Sequence, residues 1–140
     1  MGLGNSMRVL FLDFDGVVHI AGKFSEAACK NLNKLLDAEP DLKIVISSSW
    51  RHKGVKFCKE ALKENGVNST RVIDRTDLKT GDRGKHILRW IAEYKPKYFV
   101  ILDDNNDMDS VRDRLVQTNP FIGLTSADTK KALDILKKKV

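Results

Sequence analysis

Apolar positions along this chain fall into two rhythms that alternate from one end to the other. Arg8–Leu12, Leu42–Ile46 and Tyr98–Leu102 are short, nearly unbroken apolar runs, the pattern of strands buried on both faces. Two shorter runs, Arg71–Ile73 and Leu115–Thr118, fit a third and a fifth strand around them. Between the runs the apolar spacing changes to that of amphipathic helices. Ser25 is placed to cap a helix over Glu26–Asp37, whose Ala28, Leu32, Leu35 and Leu36 share one face, and Pro40 ends that segment. A second helix is expected over His52–Glu64, with Val55, Cys58 and Leu62 on one side and Gly66 suited to its C-terminal cap. Residues Asp74–Asp82 are polar and read as a loop. A third helix opens near Gly84 with Ile87, Leu88 and Ile91 turned inward, and a last one follows Thr125 or Ser126 and carries Leu133, Leu136 and Val140.

Strands that alternate with helices predict an α/β fold: a three-layer, Rossmann-like, parallel five-stranded sheet with helices on both faces. Its crossovers should be right-handed, and its ligands should bind beyond the carboxyl ends of the strands. The 140 residues suit one domain spanning positions 1–140, with residues 1–6 ahead of Met7 as a short tail. No apolar run approaches the roughly 20 residues of a membrane span. Cys29 and Cys58 lie on predicted helices among apolar neighbours and read as two buried thiols, which points to a reducing, cytoplasmic setting. A formal net charge of +6 favours anionic partners such as nucleic acid or phosphorylated protein.

The residues just after each strand carry the chemistry. The first strand runs into Asp13-Phe14-Asp15-Gly16. Alternation sets Asp13 and Asp15 on one side, and carboxylates this close call for a cation between them or a retained proton. Mg²⁺, which takes oxygen ligands, meets that need. Gly16 permits a sharp departure from the strand. The second strand ends in Ser47-Ser48-Ser49-Trp50-Arg51. Hydroxyls and free amides at such a turn can hold phosphate oxygens or simply cap a helix. Ser47, Ser48 and Gly16 are therefore candidate phosphate contacts. Arg51 reads equally as a phosphate clamp or a surface charge. Ahead of the fourth strand, Arg83-Gly84-Lys85-His86 places cations at a helix N-terminus, against the dipole, so an anionic partner is expected for Arg83 or Lys85. After the fourth strand come Asp103-Asp104-Asn105-Asn106-Asp107, five oxygen-bearing side chains that suit a hard cation.

These four segments, in this order, resemble the motifs of the haloacid dehalogenase-like (HAD) phosphatase superfamily. The Ser-Ser-Ser-Trp-Arg, Arg-Gly-x-x-Ile-x-x-Trp, Leu-Asp-Asp and Gly123–Thr125 segments are similar, more narrowly, to the HAD domain of RNA repair proteins. The resemblance implies a Mg²⁺-dependent phosphomonoester hydrolase. Asp13 would be the nucleophile and Asp15 the acid and base. Ser47 would hold phosphate, and Arg83 or Lys85 would neutralise it. Metal would sit among Asp13, the Asp15 carbonyl and Asp103, with Asp104 or Asp107 completing the shell. Aspartate at the second acidic position argues for phosphatase rather than dehalogenase chemistry. The intervals from Asp15 to Ser47 and from Ser47 to Arg83 leave no room for the cap domain of larger HAD enzymes, so the site should be open and shielded only by Val17–Phe24. An open site suits phosphate on a macromolecule: a polynucleotide end or a phosphoprotein, with Trp50 and Phe24 available for stacking and Arg51, Lys53, Lys56 and Lys59 for charge. The alternatives are a small-metabolite phosphatase and a receiver-like module that accepts phosphate without turnover.

Overall fold

The computed structural model describes residues 7–140, so the expected tail at 1–6 lies outside the described residues. Five strands form one parallel sheet: β1 (Arg8–Leu12), β4 (Leu42–Ile46), β5 (Val72–Arg75), β6 (Tyr98–Asp103) and β7 (Leu115–Gln117). Their order across the sheet is β5-β4-β1-β6-β7. Helices α1 (Glu26–Ala38), α2 (Val55–Glu64), α3 (Arg83–Tyr94) and α4 (Ser126–Leu136) cover its two faces. The expected three-layer α/β architecture is present.

Strand alternation divides the core in two. Leu10 and Leu12 of β1 face one side, where α1, α2 and α4 contribute Leu32, Leu35, Cys58, Leu62, Ala132 and Leu136. Val9 and Phe11 face the other, against Ile87 and Trp90 of α3 with Phe99, Met108 and Val111. The Phe11 ring meets the edges of Trp90 and Phe99 at centroid distances of 5.6 and 5.8 Å. Both cysteines are buried and free, as expected.

Ser25 caps α1 through its hydroxyl, as the sequence indicates, and of the two residues open for α4 it is Thr125 that caps, in a reciprocal box with Asp128. Four local readings need correction. The second helix does not run from His52: Ser49–Lys53 forms a tight 3₁₀ turn, and Gly54 breaks the path at φ 100° before α2 begins. The third strand starts one residue later and runs two residues further, because Arg71 is drawn aside to donate to the carbonyls of Leu36, Glu39 and Leu42. On α3, Leu88 faces solvent and Trp90 takes the inward place one turn beyond Ile87. Val140 is exposed beyond the end of α4.

The Val17–Phe24 shield takes a form that was not foreseen. The segment after β1 folds into a small antiparallel hairpin, β2 (His19–Ile20) with β3 (Lys23–Phe24). Ala21 and Gly22 turn it with φ of 51° and 84°, the positive values a two-residue hairpin turn requires. This hairpin is the whole of what stands between β1 and α1, and the chain carries no inserted cap there.

Candidate active site

Parallel pairing brings the chemistry into one row. Leu12 is in register with Ile46 on one side and Leu102 on the other. The next residues, Asp13, Ser47 and Asp103, therefore stand abreast at the carboxyl edge. The ladder continues through them: Asp13 N–H donates to the Leu102 carbonyl at 3.0 Å and Ser47 N–H to the Leu12 carbonyl at 3.1 Å. Thr76 extends the row by one strand, its N–H donating to the Ile46 carbonyl at 3.0 Å.

Asp13 sits in the middle, only 3% exposed, its Oδ1 accepting from the Phe14 N–H at 2.9 Å. Asp103 is fully buried, with Oδ1 accepting from the Asn105 N–H at 3.0 Å. Arg83 reaches both from the first turn of α3: its Nη1 lies 2.7 Å from Asp103 Oδ2 and 3.2 Å from Asp13 Oδ2. Asp82 caps that turn by accepting from the Lys85 N–H, which aims the Arg83 stem at the sheet edge. Gly84 permits the close approach, since a Cβ there would crowd Met108 at 3.0 Å. Lys85 is exposed, so Arg83 is the cation that reaches the carboxylates.

Asp104 joins Asp13 and Asp103 in a group whose ligand oxygens all lie within 4.8 Å of one another. Gly16 makes room for it: at φ 83° the chain turns away from β1, and a Cβ on Gly16 would run into the Asp104 carboxylate. The Gly16 carbonyl is fixed by the Thr118 hydroxyl at 2.7 Å. This crowding has an electrostatic signature. Burial, followed by the neighbouring Asp103, pushes the Asp13 carboxyl up to about 8, and burial also raises Asp104. One guanidinium is too little positive charge for three carboxylates. An all-oxygen donor set with unbalanced negative charge fits a hard divalent cation, and Asp13, Asp103 and Asp104 are the residues that would hold it.

Ser47 is fully buried and its hydroxyl has no hydrogen-bond partner, nor has that of its neighbour in the row, Thr76. Orphaned hydroxyls at this depth are uncommon. Beside Asp13, the Ser47 hydroxyl is free to donate to an oxyanion.

The family described as the HAD domain in Swiss Army Knife RNA repair proteins matches residues 9–129, nearly the whole chain. The chain belongs to this family. Its fold is similar to that of the HAD domain of the effector protein Lem4 from Legionella pneumophila, at a TM-score of 0.65 and 16% identity, covering 95% of this chain and 97% of that one. No curated protein matches it. This HAD domain is a catalytic one, with the aspartate cluster of hydrolases that work through a phospho-aspartate.

The other residues marked in the sequence take varied places in the HAD domain. Asp15 is exposed and outside the three-carboxylate group; its Oδ1 lies 2.8 Å from His19 Nδ1, and its Oδ2 accepts from Trp50 Nε1 at 3.0 Å. Ser48 caps the turn that follows, accepting from the Trp50 N–H at 3.2 Å. Arg51 is no surface charge. It is buried, donating to the Asp77 and Ser48 carbonyls at 2.9 and 3.2 Å and meeting His86 at 3.3 Å. Asp107 is exposed and lies outside the carboxylate group. Trp50 is half-buried against Phe14, Phe24 and His19. Sequence reading passed over His19 and Thr76. A signal existed for the first, since His19 follows Asp15 by four residues across a glycine turn. For Thr76 there was none, because its place depends on the pairing of β5 with β4.

Proposed function

We propose that this domain is a Mg²⁺-dependent phosphomonoester hydrolase acting on phosphate carried by a macromolecule, first of all a polynucleotide end. The observation that carries the chemistry is the buried Asp13 carboxylate, grouped with Asp103, Asp104 and Arg83, with the unpartnered Ser47 hydroxyl next to it in the strand row. In the first half-reaction an Asp13 oxygen attacks phosphorus, the ester P–O bond breaks, and the departing oxygen takes a proton from Asp15. In the second, water gives that proton's replacement to Asp15 and attacks phosphorus. The acyl-phosphate P–O bond then breaks, releasing inorganic phosphate and free Asp13. Arg83 and the Ser47 hydroxyl bind the phosphoryl oxygens, and burial keeps competing water away from Asp13. Asp13, Asp103 and Asp104 would hold Mg²⁺, which would supply charge neutralisation for the phosphoryl transfer. Arg51, bonded to the Ser48 and Asp77 carbonyls, supports the Ser48 turn rather than clamping substrate, and Asp107 stays outside the metal group.

The macromolecular preference rests on the absence of a cap. Among the described residues the β2–β3 hairpin alone stands beside the site, which then encloses little of a small ligand, so contacts outside it must supply the remaining binding energy. The matched family's own description, RNA repair, favours a polynucleotide. A second reading, a phosphoprotein, is favoured by a surface cavity of about 490 Å³ beside the hairpin. It is lined by Ile20 and Phe24 with the exposed Phe121 and Ile122, a surface suited to apolar peptide side chains. The deciding experiment compares kcat/KM with Mg²⁺ for 3′- and 5′-phosphorylated oligonucleotides, phosphopeptides and sugar phosphates at one salt concentration. An oligonucleotide should rank first. A sugar phosphate ahead of both polymers by about tenfold, one order of magnitude or some 1.4 kcal/mol, would overturn the proposal.

A further inference from the structure

Asp15 differs from the other acidic residues in how it is held. Asp13, Asp103 and Asp104 converge on one another, whereas Asp15 stands apart with its carboxylate gripped at both oxygens. The Trp50 indole N–H donates to Oδ2 at 3.0 Å, and His19 Nδ1 lies 2.8 Å from Oδ1. These partners come from two different parts of the chain: Trp50 from the turn after β4, His19 from the first strand of the hairpin.

Both partners are themselves locked by packing. The His19 ring meets Phe24 and Trp50 edge to face, with centroids 5.0 Å apart in each case. Trp50 also packs on Phe14 at 5.0 Å and on Phe24 at 5.6 Å. The peptide at Gly16 holds the chain between them, since the Gly16 N–H donates to the His19 carbonyl at 2.9 Å. An exposed aspartate on a strand end ordinarily samples several rotamers. Here an aromatic box fixes one donor, the Trp50 indole N–H, and one imidazole nitrogen, and together they fix the carboxylate.

We propose that Trp50 and His19 are positioning residues that hold the Asp15 carboxyl in line with the departing ester oxygen. The aromatic hairpin is thereby part of the catalytic apparatus and not only a shield. This inference rests on the reading of Asp15 as the acid. Proton delivery needs heavy-atom separations near 2.6–3.2 Å, so a carboxyl free to rotate spends little time in reach. The indole N–H can only donate. Its bond to Oδ2 therefore selects one carboxyl orientation, and the His19 contact, at the other oxygen, closes off rotation about the side-chain axis.

The test separates positioning from structural support by varying the leaving group. Nitrophenolate departs unaided, whereas a benzyl alkoxide needs the proton. The kcat/KM value reports steps up to the first irreversible one, here formation of the phospho-aspartate, and so omits the later use of Asp15 as base. The variants Trp50→Phe and His19→Phe keep the aromatic packing and remove the contacts, and His19→Asn restores a polar group near the position of Nδ1. Measured with Mg²⁺ on the whole chain, each Phe variant should lose about tenfold or more in kcat/KM for benzyl phosphate, part of the 10²–10⁴ an acid–base group supplies. Loss on p-nitrophenyl phosphate should stay within about threefold, well under that range. His19→Asn should recover part of the benzyl phosphate rate. Asp15→Asn is the reference and should show the widest gap between the two esters. Equal losses on both esters in the Phe variants, or no loss on either, while Asp15→Asn shows the gap, would overturn the positioning role alone. Equal losses in Asp15→Asn itself would instead remove Asp15 as the acid, and the inference with it.

Discussion

Replacing Asp13 by Asn should abolish turnover and, in metal-free protein, raise stability. The carboxylate is held where charge is expensive: buried, beside Asp103, with its titration moved from 3.8 to about 8. Between these two values the folded chain keeps a proton that the unfolded chain has released, so stability must fall as pH rises across that window. From pH 5 to pH 8 the fall is three pH units at about 1.4 kcal/mol each, an upper bound of about 4 kcal/mol. Asparagine removes the titration. Its Oδ1 still accepts from the Phe14 N–H, and Arg83 keeps its contact with Asp103 at 2.7 Å. The assay is chemical denaturation in excess chelator at pH 5 and pH 8. Wild type should lose stability between the two, and Asp13→Asn should change far less and be the more stable protein at pH 8. Asp104, also raised by burial, adds to the fall in the same direction and is kept in Asp13→Asn, so the variant's remaining slope belongs to it. The thiols and Asp77 act outside the window. Cys29 and Cys58 are raised by burial from 9.0 to about 11 and weaken the fold only above pH 9. Asp77, lowered to about 2 chiefly by its hydrogen bond from Arg89, matters only in acid. Adding Mg²⁺ should stabilise wild type by mass action and narrow the gap at pH 8. Wild type holding constant stability from pH 5 to pH 8 without metal, or Asp13→Asn proving weaker at pH 8, would refute the account of a strained central carboxylate.

Chelation should remove activity, and Mg²⁺ should restore it better than Ca²⁺, whose larger coordination number suits three converging carboxylates poorly; full turnover in excess chelator refutes the metal requirement. Asp103→Ala should raise the Mg²⁺ concentration needed for half-maximal rate far more than Asp107→Ala, because only Asp103 belongs to the group. Arg83→Ala should cut kcat/KM by about 10² or more, the scale of a lost oxyanion contact, while Lys85→Ala stays near wild type. Gly16→Ala combines a positive φ with a methyl group directed at Asp104, and should weaken metal binding and lower the melting temperature together.

Most of the sheet was legible because buried parallel strands are written as apolar runs: β1 and β4 fall where the runs lie, and β6 differs only by including Asp103. The cap at Ser25 was equally legible, being local side-chain chemistry, and that of α4 to within one residue, Thr125 or Ser126. What escaped was decided by backbone geometry or distant partners. Gly54 split a continuous amphipathic pattern, and nothing in that pattern announces a positive φ. Arg71 left its strand for three carbonyls more than 25 residues away. At the site, the carboxylates and Ser47 could be read because each follows a strand. For the cation, the Arg-Gly-x-x-Ile motif favoured Arg83 over Lys85 without deciding it, since the choice depends on which stem the helix turns toward the sheet edge. The fates of Arg51 and Asp15 depended on aromatic and loop packing around Trp50 and residues 77–79.

The carboxylate group also contains a ruler. Asp13 and Asp103 stand on adjacent parallel strands, and the backbone ladder, at about 4.8 Å between strands, sets the separation from which their side chains start. No side-chain substitution alters that pitch. Asp104 is the adjustable member, because it stands one residue beyond β6, in the hollow left by Gly16. Redesign of the cation preference therefore has one productive place to begin: the pair on the strands sets the span, and the loop residue tunes what fits within it.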